Sequence, residues 1–142
     1  MSEKIWKMPF TLEAINDLNG NCMPGHVGIE FMEIGDDYLV AKMPVVPHNH
    51  QPMGLLHGGA SVVLAETLGS VAAMLCLEGN GKSIVGVEIN ANHLRATRKG
   101  WVFGTVKPVR IGRQLQVWNI EIRDEKERLT CVSRLTTMTV DV

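Results

Sequence analysis

The residues predict an α+β domain in which one long apolar helix lies against a curved antiparallel sheet. Three features carry that expectation. In the stretch QPMGLLHGGASVVLAETLGSVAAMLCLE, Gly58 and Gly59 are followed by nearly twenty positions with almost nothing polar. Such a run is too apolar all round for a surface helix, so other elements should enclose it. Later segments alternate in the two-residue period of strands, separated by the polar turns ATRKG, GR and DEKER. A shorter alternating pair precedes the helix, joined by Gly35, Asp36 and Asp37 in the pattern of a tight turn.

The elements follow in order. Thr11 can cap a first short helix, with Glu13 well placed in its first turn, Leu12, Ile15 and Leu18 as its stripe, and Gly20 as a stop. Residues 21–26, NCMPGH, read as a linker, and a hairpin of strands over residues 27–34 and 38–45 comes next. The loop over residues 46–56 carries two prolines, His48, His50 and Gln51, and delivers the chain to the long helix, which Gly79 to Gly81 should close. Strands are then expected over residues 83–94, 101–111, 114–123 and 129–140, four antiparallel strands in a row. In the third of them Gln116, Trp118, Ile120 and Ile122 share one side; in the fourth Leu129, Cys131, Ser133 and Leu135 do.

Composition narrows the functional classes. A chain of 142 residues with 45% hydrophobic content suits one domain spanning 1–142. The formal charge is -1, from 14 basic and 15 acidic residues mixed along the chain, so no global field draws nucleic acid or an anionic bilayer. Three scattered cysteines, two in apolar segments, point to free thiols in a reducing, cytoplasmic setting. MSEKIWKMPF lacks the apolar stretch of a signal peptide. The run 60–77 could mimic a membrane span, but it contains Glu66 and falls short of the roughly 20 apolar residues a bilayer requires, so it reads as a core helix.

Glu66 is the one interior charge of that helix and needs a reason, because a carboxylate on so apolar a rod is costly to bury unless it faces a cleft, a partner or water. The start of the helix is a natural oxyanion site. Its first N–H groups lack intrahelical partners, the helix dipole adds positive potential, and glycine at 58 and 59 permits close approach to the backbone. The bland alternatives are a turn and close packing for the glycines, a wet helix edge for Glu66, a loop amide for Gln51, and a capping or packing role for His57.

The element order, together with QPMGLLHGGASVVLAETLGS, VGVEINANHLR, RIGRQLQVWNIEI and VSRLTTM, resembles the hotdog-fold acyl-CoA thioesterases. Within them it is similar to the subgroup of Glu-dependent 4-hydroxybenzoyl-CoA thioesterase and 1,4-dihydroxy-2-naphthoyl-CoA hydrolase. Nearly the whole chain takes part, and Gln51, His57, Gly58, Gly59 and Glu66 agree in identity and spacing at once. The resemblance implies that Gly58 N–H, with His57 beside it, polarises the thioester carbonyl, and that Gln51 holds the water or the carbonyl. It implies for Glu66 the role of general base or of nucleophile, and between these the sequence does not choose. Gly59 and Ser70 would line the pocket, with Ser70 equally well placed to bond back to its own helix. His93 and Arg95 would reach coenzyme A; Arg98, Lys99, Lys107, Arg110 and Arg113 are further cations in the segments concerned. The implied substrate is an aromatic or medium-chain acyl-CoA, or a misacylated carrier-protein thioester, with no cofactor and no metal.

A length argument adds an expectation about assembly. Gly58 and Glu66 are eight residues apart, roughly 12 Å along a helix axis, too far for both to contact one carbonyl. A two-fold dimer with antiparallel central helices would bring Glu66 of one chain to Gln51, His57 and Gly58 of the other; the resemblance implies the same homodimer, often paired into a tetramer. Three rival readings stand beside this one. His48, His50 and His57 with Glu66 suggest a metal site only weakly, for want of an acidic ligand at suitable spacing. A hotdog hydratase or dehydratase would need a different loop arrangement, and an acyl-CoA sensor would not need Glu66. For the acyl pocket Met53, Leu55, Val63, Leu64 and Met74 are candidates.

Overall fold

In a computed structural model, which describes residues 3–79 and 81–142, helix α3 (Gly58–Leu75) is wrapped by a six-stranded antiparallel sheet. The expected hotdog architecture is what the chain adopts. The strands are β1 (Glu30–Ile34), β2 (Leu39–Val45), β3 (Lys82–His93), β4 (Gly100–Ile111), β5 (Leu115–Arg123) and β6 (Leu129–Asp141). Contacts run from α3 to β2, β3, β4, β5 and β6, so the sheet curls around it rather than lying beside it. That enclosure explains why the helix has no polar face: Leu64, Ala65, Leu68, Ala72 and Ala73 are all fully buried.

Close approach of helix and sheet depends on two glycines. A Cβ on Gly69 would lie 2.5 Å from Leu135 Cδ2, and one on Gly104 would lie 2.6 Å from Leu68 Cδ1. At the centre sits Trp118, fully buried, its ring stacked on Trp6 with centroids 6.5 Å apart. Trp118 Nε1 donates to Gln116 Oε1 at 3.0 Å, and Gln116 Nε2 reaches Ala73 O at 3.4 Å, which explains a glutamine on the inward face of β5. Burial pushes the Cys76 thiol up to about 11, with nearby Lys7 pulling weakly the other way, so this cysteine is a packing residue. Cys131 is also buried and free, whereas Cys22 is exposed.

Several expectations need correction. Residues 21–26 are not a plain linker: Met23–His26 form a short helix, α2, in which Pro24 occupies an early position whose missing N–H costs nothing. It follows α1 (Leu12–Asn19), which Thr11 caps by accepting from Ala14 N. Strand β1 accordingly begins at Glu30, not at 27. The loop after β2 contains a 3-10 turn over Pro47–Asn49. Helix α3 begins at Gly58 and ends at Leu75, before the glycines expected to close it; Asn80 of that turn lies outside the described residues. What closes it is a local tightening together with one tertiary bond. Cys76 N and Leu77 N tighten onto Ala73 O and Met74 O, and Lys7 N takes Leu75 O at 2.8 Å.

The four later strands are contiguous but not in chain order. The sheet runs β1-β2-β4-β5-β6-β3. Because β2 occupies one side of β4, strand β3 pairs instead with β6, at the far edge. Its outer edge is unpaired, it is 12 residues long, and Val85 and Val87 are exposed on it.

Candidate active site

The site begins with the loop that delivers the chain to α3. Asn49 is 3% exposed and anchors that loop: its Nδ2 donates to Val27 O and Pro44 O, both at 2.9 Å, while its backbone carbonyl accepts from His57 N at 2.8 Å. His57 is thereby held as the N-cap of α3, and its Nδ1 accepts from Gly59 N at 2.8 Å. Ala60 N and Ser61 N both turn back to His57 O. Among the described residues this leaves Gly58 N–H as the one backbone donor at the tip of α3 without a partner.

That donor opens into a cleft of about 390 Å³, lined by Gln51, Leu55, Gly58, His93 and Arg95 among others. Gln51 heads a tight loop in which its N–H donates to Leu55 O and its carbonyl accepts from Gly54 N. Its side-chain Oε1 accepts from Met53 N, which leaves the amide NH2 as the end able to reach a ligand oxygen. His93, from the end of β3, brings the Nε2 edge of its ring against Gly58: a Cβ there would lie 2.9 Å from His93 Nε2 and 3.2 Å from Cε1. Glycine at 58 therefore does two things. It exposes the free N–H, and it makes room for the imidazole.

Four of the expected residues thus converge within one chain: Gln51, Gly58, His93 and Arg95. His57 stands beside them as cap, and Gly59 donates to it instead of facing the cleft. Glu66 and Ser70 are not among the residues lining that cleft. Glu66 is half-buried two turns further along and lies against β3, where a Cβ on Gly86 would be 3.0 Å from its Oε2. It forms no hydrogen bond or salt bridge among the described residues.

Other expectations fare differently. Of the acyl-pocket candidates Leu55 lines the cleft, Met53 is 77% exposed, and Leu64 is sealed in the core. Lys107 lies over the Tyr38 ring, and Arg113 lines a separate hollow with Cys76 and Glu78 at the opposite end of α3. An 18-residue helix is about 27 Å long, so Arg113 is remote from Gly58. Ser61, Thr97 and Thr130 line the cleft and were missed, as was Asn49. Only Ser61 had a signal, lying three residues after Gly58 on the same helix face.

Comparison with known proteins bears directly on this geometry. The family model described as the thioesterase superfamily matches residues 53–131, which include the tip of α3, Glu66 and the end of β3. The chain belongs to the thioesterase superfamily. Similar thioesterases include the 1,4-dihydroxy-2-naphthoyl-CoA hydrolase of Escherichia coli, 59% identical over 133 residues, covering 94% of this chain and 97% of that one. The proofreading thioesterase EntH of Cronobacter turicensis is 51% identical over 133 residues, covering 94% and 96%. The crystal structure of a thioesterase from Haemophilus influenzae superposes with a TM-score of 0.93 at 51% identity, covering 96% of this chain and 95% of that one. The protein is a thioester hydrolase. For a thioesterase whose free donor is Gly58 N–H, Gly58→Ala should drive the new methyl into His93. The expected result is kcat/KM lower by about tenfold or more with an unchanged far-UV spectrum, since a displacement of about 1 Å at a site can cost about 10²-fold.

Proposed function

We propose that the protein hydrolyses the thioester of an aromatic or medium-chain acyl-CoA, using Gln51, His57 and Gly58 of one chain and Glu66 of its dimer partner. The observation that carries the reading is the unpartnered Gly58 N–H, which opens into a cleft shared with Gln51, His93 and Arg95. A thioester carbonyl lodged there would receive Gly58 N–H as negative charge develops on its oxygen. The Gln51 NH2 would hold the attacking water or the carbonyl. With Glu66 as general base, the carboxylate takes a proton from water as the water oxygen bonds to the acyl carbon; the C–S bond then breaks and the leaving thiolate takes up the proton. With Glu66 as nucleophile, an acyl-carboxyl anhydride forms as the thiol departs, and water cleaves it. Neither route calls for a cofactor or metal. A naphthoyl-CoA is the substrate named for one relative, and a misacylated carrier would suit a proofreading thioesterase, as another is named.

Two observations support the dimer, a separation and an exposed edge. Glu66 and Gly58 of one chain are too far apart to share a carbonyl, while β3, against which Glu66 rests, offers an unpaired apolar edge suited to a second copy. Pairing of two such dimers into a tetramer is part of the same reading. Two experiments test it. Thiol release from a panel of aryl, short and long acyl-CoAs should show turnover that favours aryl or medium chains; no release from any would end the proposal. Mixing inactive Glu66→Ala chains with inactive Gln51→Ala chains should restore about a quarter of wild-type activity, since half the dimers become hybrids with one intact site of two. No recovery, with subunit exchange demonstrated, would place the whole site in one chain.

A further inference from the structure

Beside the substrate cleft lies a second hollow of about 560 Å³, which shares Arg95, Ala96 and Thr97 with it. One wall carries Arg98 and Lys99; the other is the turn between β5 and β6, with Lys126 and Arg128. That turn is built stiffly. Asp124 Oδ1 accepts from Lys126 N at 2.9 Å and Arg128 N at 3.0 Å, and Oδ2 accepts from Arg128 Nε at 2.8 Å. Burial alone would raise the Asp124 pKa, but these bonds from Arg128 and Lys126 hold it below the carboxylate range. Glu127 completes the turn in the left-handed region at φ 62°.

The charges around the hollow do not cancel. Asp124 is ion-paired with Arg128, while Glu125 accepts from the neutral Trp101 N at 2.9 Å and keeps its charge. Arg95, Arg98, Lys99 and Lys126 form no salt bridge among the described residues. Thr97 Oγ1 is buried without a hydrogen-bond partner there, in a residue that lines both hollows. The four cations left unpaired outnumber the one unpaired carboxylate, Glu125, and a compact polyanion relieves the repulsion among them while gaining charge-assisted hydrogen bonds.

We propose that the β5–β6 turn is the second jaw of a site for the phosphorylated nucleotide end of the substrate, with Lys126 gripping phosphate across the hollow from Arg95, Arg98 and Lys99. This rests on the reading above that the substrate is a coenzyme A thioester entering through the adjoining cleft. The number of cations favours a nucleotide bearing several phosphates, because the single phosphodiester of a carrier-bound pantetheine would neutralise only one of them.

The test separates nucleotide binding from turnover. Adenosine 3′,5′-diphosphate, which has no thioester, is titrated into the wild-type protein, Lys126→Ala and Lys126→Glu by calorimetry at two salt concentrations. Lys126 uses only its backbone N–H in the fold, so both variants should fold. The charge reversal should raise Kd by about tenfold, the value of one charge-assisted hydrogen bond, with alanine intermediate and binding weaker at higher salt. In parallel, the ratio of kcat/KM for an acyl-CoA to that for the same acyl group on pantetheine should fall by a similar factor, through KM. Wild-type and Lys126→Glu proteins that bind the nucleotide equally, or a wild type that ignores it, would overturn the proposal. Failure of the underlying substrate reading would look different: the wild type would then cleave neither thioester, whatever the titration shows.

Discussion

Replacing Glu66 with glutamine is expected to lower kcat on an acyl-CoA by about 10³-fold or more, within the 10²–10⁴ span of a positioned general base and its nucleophilic counterpart. The melting temperature should hold or rise slightly. Both halves of that expectation come from the surroundings of the carboxylate. Glu66 is half-buried on an otherwise apolar helix and has no hydrogen bond or salt bridge among the described residues, so no partner is orphaned when its charge goes. A structural carboxylate would behave in the opposite way, losing stability before activity. Glutamine keeps the shape and hydrogen-bonding oxygen of the side chain but can neither accept a proton from water nor attack the carbonyl. Turnover within tenfold of wild type, in a protein of unchanged stability, would remove Glu66 from the chemistry.

Trp118→Ala is the substitution expected to damage the fold most. The indole is fully buried, stacks on Trp6, and gives its N–H to Gln116 Oε1. Alanine leaves a void and strands the Gln116 oxygen away from water, and a large-to-small change of this kind costs about 3–5 kcal/mol. For a chain of this size that corresponds to a melting point lower by roughly 10–20 °C. Urea denaturation at fixed protein concentration measures it, since any dimer couples stability to concentration. Trp118→Phe, which fills most of the space, should lose far less. A loss below about 1 kcal/mol for the alanine variant would mean that the core is not organised around this ring.

Much of the architecture was legible because strand and helix codes are local. The two-residue alternation located β3, β4, β5 and β6 to within one residue at each end, and the all-round apolar character of α3 announced its enclosure. Helix α2 escaped notice because four residues are too few to show a period. The end of α3 was misplaced because glycine is a local stop signal, whereas the actual stop draws on Lys7, some seventy positions earlier in the chain. Strand order was illegible for a related reason. Any of these strands can pair with any other, and it is the presence of β2 on β4 that sends β3 to the far edge.

The candidate site divides along the same line. Residue types and spacing alone determined that the tip of an apolar helix carries a glycine pair, that one carboxylate lies two turns further on, and that a glutamine precedes both. Only the tertiary structure decided which N–H is free. Asn49 holds His57 in place, His57 takes Gly59, and Gly58 is left open beside the imidazole of His93. Those contacts join residues brought together from different elements, and their geometry depends on how the sheet closes around the helix, which no local pattern encodes.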